Sequence, residues 1–169
     1  MDIILAAPQP IVKMFKVIVF LLSHSLAMAG GVALGIYLLP ILIAPDAPSD
    51  TEVANVSDKA IFTSQFKKDL PGSDFLHWGK GELSISARRV SFIGELAPGP
   101  DYRLYLTPQL VVDEQEFLAV KDQSAYVGDI KTFNNFILNV PENINPAGFT
   151  AMVVWCETFG EFITAATYQ

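Results

Sequence analysis

Residues 17–44 form a run of 28 positions without an acidic, lysine or arginine side chain, and the stretch 26–44 is almost purely apolar. An α-helix rises about 1.5 Å per residue, so roughly 20 apolar residues cross the hydrocarbon core of a bilayer. The run predicts one transmembrane helix over 17–44, long enough to span with tilt. Ala27-Met28-Ala29 has the small-x-small form of a signal-peptide cleavage site. However, Ser23-His24-Ser25 breaks the preceding apolar run and a longer one follows, so a retained anchor is expected. The spacing of Gly31 and Gly35 gives a weak signal for close helix pairing. His24 is expected to be a neutral imidazole near the interface or hydrogen-bonded locally. Lys13 and Lys16 precede the span, while Asp46, Asp50 and Glu52 follow it. By the positive-inside rule, residues 1–16 are a cytoplasmic N-terminus and residues from 45 onward lie outside the cell membrane.

Beyond the span the pattern changes. Residues 45–73 read as a tether. Pro45, Pro48, Ser49 and Asp50 fall in its first part, which has no hydrophobic period, and 61–70 has room for a short helix before Pro71-Gly72. From 74 to 169 the chain reads as strands. Leu83, Ile85 and Ala87 alternate with Glu82, Ser84, Ser86 and Arg88, and the apolar run 90–93 resumes after Arg88-Arg89 as the second arm of a hairpin. Tyr102, Leu104 and Leu106 alternate with Arg103, Tyr105 and Thr107. Further strands are expected at 117–120, 125–130, 136–140, 151–155 and 161–168. Short strands at this spacing predict an all-β domain, an antiparallel sandwich or barrel. Pro98-Gly99-Pro100-Asp101 is a turn by composition, with Gly99 expected at positive φ or where backbone approaches closely.

Composition sharpens this picture in two places. Hydrophobic residues make up 51% of the 169-residue chain and charged residues only 17%, with mean hydropathy +0.36. Soluble domains carry about 25% charge, so the excess is consistent with a segment in lipid. From residue 45 onward, nine Lys and Arg face seventeen Asp and Glu. This acidity argues against a nucleic-acid partner, because phosphate binding needs clustered cations. It serves solubility and is able to steer cationic partners.

Catalytic templates are missing. The chain has no G-x-S-x-G, Walker loop, H-E-x-x-H or G-x-G-x-x-G sequence. Gly79-Lys80-Gly81 reads as a strand edge or bulge. Asp113-Glu114-Gln115-Glu116 offers three carboxylates without the spacing of a calcium loop, so a solvated turn is expected. A hairpin brings Glu82 and Glu95 near each other, but nothing selects them as an acid–base pair. One cysteine excludes an internal disulfide and a multi-cysteine metal site, and His24 and His77 alone make a poor metal set, so no metal site is expected.

The sharpest local feature is Val153-Val154-Trp155-Cys156-Glu157-Thr158-Phe159. Cys156 is either a small, inert core residue or a redox thiol or ligand. Glu157 and the acidic surroundings raise a thiol pKa and disfavour thiolate. Neighbouring strand residues face opposite sides, so a Trp155 that fills the core turns Cys156 outward, towards a partner sheet, a loop or solvent.

Four pieces of the region 74–168 together resemble the DM-thirteen domain, an electron-transfer module found beside DOMON domains in surface proteins. They are Gly79-Lys80-Gly81-Glu82-Leu83-Ser84-Ile85, Gly99-Pro100-Asp101-Tyr102-Arg103-Leu104-Tyr105-Leu106, Gly128-Asp129-Ile130-Lys131 with 136–141, and Val153-Val154-Trp155-Cys156 with Phe159, Phe162 and Ala165 or Ala166. The stretch Thr132-Phe133-Asn134-Asn135 departs from the family pattern. The resemblance implies an extracellular all-β domain in which Cys156 acts as a redox thiol or as ligand to a prosthetic group, haem being possible. It also implies a redox protein partner, beside the membrane contact made by the N-terminal helix. The rival expectation is a non-catalytic surface interaction or ligand-binding module with a structural cysteine.

Overall fold

The computed structural model describes residues 9–169. Helix α1 spans Gln9–Ile43 and has Pro40 in its last turn. Within it, Ile11–Ile43 is long and apolar enough to cross a membrane, with mean hydropathy 2.2. Of the expected cytoplasmic segment 1–16, residues 1–8 lie outside the described residues, and 9–16 form the start of α1. The His24 Nδ1 lies 2.8 Å from the Phe20 carbonyl oxygen, the local bond expected of it.

The remainder is a sandwich of two antiparallel sheets with four strands each. One sheet runs β1 (Phe62–Phe66), β2 (Gly79–Ile85), β3 (Arg89–Leu96), β6 (Phe136–Asn139); the other runs β5 (Ala125–Ile130), β4 (Tyr102–Thr107), β7 (Ala151–Cys156), β8 (Glu161–Thr167). The inward positions of both sheets meet in one core, with Leu83, Ile85, Phe92, Leu104, Leu106, Met152, Val154 and Ile163 all fully enclosed. Phe92 stacks against Phe136 at 5.0 Å between centroids and tilts against Phe66 at 5.5 Å. Ring pairs of this kind add specificity beyond the area they bury.

Three expectations of secondary structure change. Residues 117–120, expected as strand, belong to helix α2, Glu114–Val120. The Asp113 side chain accepts from the Glu116 N–H at 2.8 Å and caps the helix, Glu114 and Glu116 sit at its positive end, and Phe117 and Val120 are buried three apart while Leu118 is exposed. That is a helical period, which four residues are too few to reveal. The acidic run 113–116 is thus helix-capping: Glu116 accepts from the Val112 N–H at 2.9 Å, and Glu114 from the Phe162 N–H at 3.3 Å. Residues 61–70, expected to hold a short helix, instead supply β1, where Phe62, Ser64 and Phe66 alternate with exposed Thr63 and Gln65.

The third change lies in the expected tether. Residues Asp50–Ser57 form an additional helix, closed by a reciprocal Ser49–Glu52 capping box, and its Val53 is fully buried beside β3. Asn135 seats that helix. Its amide donates to Pro48 O at 3.1 Å and Asp50 Oδ1 at 2.6 Å, while its Oδ1 accepts from the Gly94 N–H at 3.3 Å. The stretch 132–135, which departs from the family pattern, is therefore what fastens residues 48–50 to the sandwich.

Glycine matters most where β2 and β3 cross. Gly81 and Gly94 are direct cross-strand partners, Gly81 has φ +151°, and the Phe92 ring lies against both. A Cβ on Gly94 would collide with the Lys80 carbonyl and the Gly81 Cα as well as with that ring. Gly99 differs from expectation. It does not have positive φ, and the group crowding it is the Tyr102 ring rather than backbone. Because backbone has to move to admit it, Gly94→Ala is expected to lower unfolding free energy by about 1–3 kcal/mol, measured by urea titration.

Candidate functional site

Cys156 is the last residue of β7, opposite Tyr102 on β4 and Glu161 on β8. It is 3% exposed, and its side chain belongs to the core between the sheets. The chain then turns through 157–160. The Gly160 N–H donates to the Cys156 carbonyl at 2.9 Å, and Gly160 has φ +69°, which favours glycine. Two bonds tie the turn to Asp101: Glu157 N–H to the Asp101 carbonyl, and Thr158 Oγ1 to Asp101 Oδ2, each 2.9 Å. The thiol therefore lies beneath a short turn whose residues 158–160 are exposed.

The alternation along β7 holds, but its faces are the reverse of those expected. Trp155 looks away from the inter-sheet core, into a second apolar cluster with Tyr105, Val111, Phe117, Val153 and Phe162. Helix α2 supplies the cover, with Phe117 at 4.9 Å from the Trp155 ring. Trp155 is thus buried on the outer face, and Cys156 is turned inward rather than towards the surface. Burial pushes the thiol pKa up; the backbone amides of Phe159 and Asp101 oppose this, and the Asp101 and Glu161 carboxylates add to the rise.

Glu157 faces the same side as Trp155. Its carboxylate accepts from Lys121 Nζ at 2.7 Å and from the Tyr105 hydroxyl at 2.9 Å, with Arg103 at 3.9 Å. Burial raises its pKa, but the bonds from Lys121 and Tyr105 and the charges of Lys121 and Arg103 outweigh that, so the pKa is lowered. The Lys121 ammonium lies 5.5 Å from the Trp155 ring centroid. Sequence reading picked out Cys156 and Trp155 but missed Tyr105 and Lys121. The one available signal was the period of two, which puts 155 and 157 on one face of β7.

The other candidates do not join this site. Glu82 and Glu95 lie on the same face of the β2–β3 hairpin, but Glu95 pairs with Lys80 and Glu82 with Ile93. Among the described residues, no group of three or more His, Cys, Asp and Glu side chains is placed to hold a metal ion. Haem does not fit at Cys156. The sulfur points into packed core, and it lines neither a cavity of about 760 Å³ between β1 and β8 nor one of about 330 Å³ beside Tyr102. His77 is held by Asp74 at 3.1 Å, and His24 belongs to α1.

Fold and site together define an all-β sandwich with one enclosed thiol at a strand end. The chain belongs to the DM13 family: the family model described as "Electron transfer DM13" matches residues 69–168. That span includes β2 to β8 and Cys156, and it begins after β1. No match was found among curated proteins or solved structures.

Two expectations follow. Cys156→Ala is expected to cost about 1 kcal/mol in lost packing, and Cys156→Ser more, by about 1–3 kcal/mol for a buried hydroxyl without a partner, both read from denaturant midpoints. Glu157 has a lowered folded pKa, so its contribution is present above the unfolded value of about 4.3 and is lost as pH falls through the folded value. Acid titration of the melting temperature is expected to show a smaller drop over that window in Glu157→Gln than in wild type.

Proposed function

We propose that the chain is a membrane-tethered, extracytoplasmic electron-transfer module whose redox centre is Cys156 and which exchanges electrons with a redox protein partner. The observation that carries the reading is the convergence of family motifs on the thiol: Tyr102, from the Gly99–Leu106 stretch, is the cross-strand partner of Cys156, from the terminal Trp-Cys stretch. The electron-transfer family supports the type of activity. The apolar length of Ile11–Ile43 supports the tether, and Lys13 and Lys16 before it support an outward-facing domain.

The raised thiol pKa disfavours chemistry through thiolate. Thiolate is scarce at neutral pH, so nucleophilic exchange with a disulfide is slow. Oxidation instead passes one electron to the partner and the thiol proton to a carboxylate, Asp101 or Glu161 being those that act on the thiol, and leaves a neutral sulfur radical. The 157–160 turn governs contact with larger groups.

A second reading has its own support. Full enclosure of Cys156 favours an interaction module in which the thiol only fills space. Voltammetry of the full chain in detergent separates the two. The redox reading expects a reversible wave that disappears in Cys156→Ala while the melting temperature stays close to wild type. A wave unchanged by the substitution, or none in wild type, favours the interaction module.

A further inference from the structure

The outer face of β4 carries a second arrangement suited to one-electron chemistry. Tyr126 is 43% exposed, and its hydroxyl donates to Asp129 Oδ1 at 2.5 Å. Its ring lies 5.6 Å from the ring of Tyr105, which is only 7% exposed and donates its hydroxyl to Glu157 at 2.9 Å. Tyr105 in turn lies 5.3 Å from Phe117, and Phe117 lies against Trp155, the neighbour of Cys156. Two phenols in ring contact, one at the surface and one inside, thus each hold a carboxylate as proton acceptor. Tyr168 shows the contrast: its hydroxyl donates to the Pro146 carbonyl, which cannot take up the proton.

This matters because a phenol that loses an electron becomes a strong acid. Without a base in contact, the product is a high-energy radical cation; with one, the proton crosses an existing hydrogen bond and the product is a neutral radical. Lys121 and Arg103 keep Glu157 ionised and ready to accept. The Tyr126 pKa is pushed up to about 12, first by its bond to Asp129, so the phenol is intact at neutral pH.

Building on the electron-transfer reading above, we propose that Tyr126 and Tyr105 form a proton-coupled electron path from the surface into the domain. A high-valent metal-centred oxidant takes one electron from Tyr126, whose proton passes to Asp129. Tyr105 then reduces the Tyr126 radical by one electron and gives its own proton to Glu157, while Asp129 returns its proton to Tyr126. The balance is one electron delivered to the oxidant, one neutral radical on Tyr105 and one proton on Glu157.

Flash-generated ruthenium(III) tris-bipyridine, applied to the full chain in detergent micelles, tests the path through the optical and paramagnetic signals of neutral tyrosyl. Wild type is expected to form tyrosyl rapidly. Tyr105→Phe/Tyr126→Phe is expected to lose most of the yield, although Tyr37, Tyr102 and Tyr168 remain. Tyr126→Phe is expected to slow radical formation several-fold. Adding Glu157→Gln to it is expected to slow formation several-fold again and to abolish the solvent deuterium effect, with both phenol-to-carboxylate partners then removed. Near-ultraviolet circular dichroism checks that each variant is folded, and the Glu157→Gln arm decides the matter if the double phenylalanine variant does not fold. A yield unchanged in the double variant, or a rate unchanged by Glu157→Gln, overturns the proposal. The external oxidant makes the readout separate from the thiol: tyrosyl formation without a Cys156 wave sinks only the cysteine reading, and a Cys156 wave with no Tyr105 dependence sinks only this one.

Discussion

All six residues of β7 are buried, so apolar cover is needed on both sides of one sheet. A strand alternates its side chains, and a run such as Ala-Met-Val-Val-Trp-Cys puts as much hydrophobic surface on one face as on the other. The sheet β1-β2-β3-β6 covers one face. The other is closed by α2 and the residues leading into it, through Val111, Phe117 and Val120. Once β7 has cover on both sides, neighbouring positions must enter different environments. Cys156 enters the inter-sheet core, while Trp155 and Glu157 go to the side where β4 offers Tyr105 and Arg103. The chemistry of the domain is sorted by this single constraint.

The two sides differ electrostatically. On the inner side burial and the Asp101 and Glu161 carboxylates raise the pKa of the thiol and favour its protonated form. On the outer side Lys121, Arg103, Glu157 and Tyr105 form a half-buried network in which each charge has an opposite one nearby. A carboxylate left there without Lys121 would be costly, because desolvation already works against it. Lys121 comes from just beyond the C-terminal end of α2, so the helix that covers Trp155 also brings the cation that holds Glu157.

Much of this was legible in the amino-acid sequence. The uncharged run of 28 residues gave α1, alternation gave the β2–β3 hairpin and β4, and short apolar stretches gave the strands from β5 to β8, including β7 with its cysteine. What remained hidden shares a physical reason. Helix α2 and β1 are too short for their period to stand out; the capping signal of Asp113 competes with an apolar run that fits a strand equally well, and that of Ser49 with Glu52 precedes a mostly polar segment without a hydrophobic period. The face assignment of Trp155 was hidden because alternation says only that two neighbours differ. Which neighbour faces the larger core depends on what lies outside, and α2 was not foreseen. The Tyr105–Glu157 and Lys121–Glu157 bonds join residues 52 and 36 positions apart, beyond the reach of local pattern.

The turn over Cys156 has a consequence of a different kind. In the extracytoplasmic setting proposed above, an unpaired thiol has no reducing pool to restore it and ordinarily ends as a mixed disulfide or a sulfinic acid. Cys156 is 3% exposed and lies under the 157–160 turn that is bonded to Asp101, so large oxidants and foreign thiols reach its sulfur only through local opening of the structure. An electron needs no such opening, since it crosses packed protein without any atom of the partner entering. In the electron-transfer reading proposed above, the turn thus works as a filter by size, excluding reagents that would destroy the thiol while leaving it within reach of electrons.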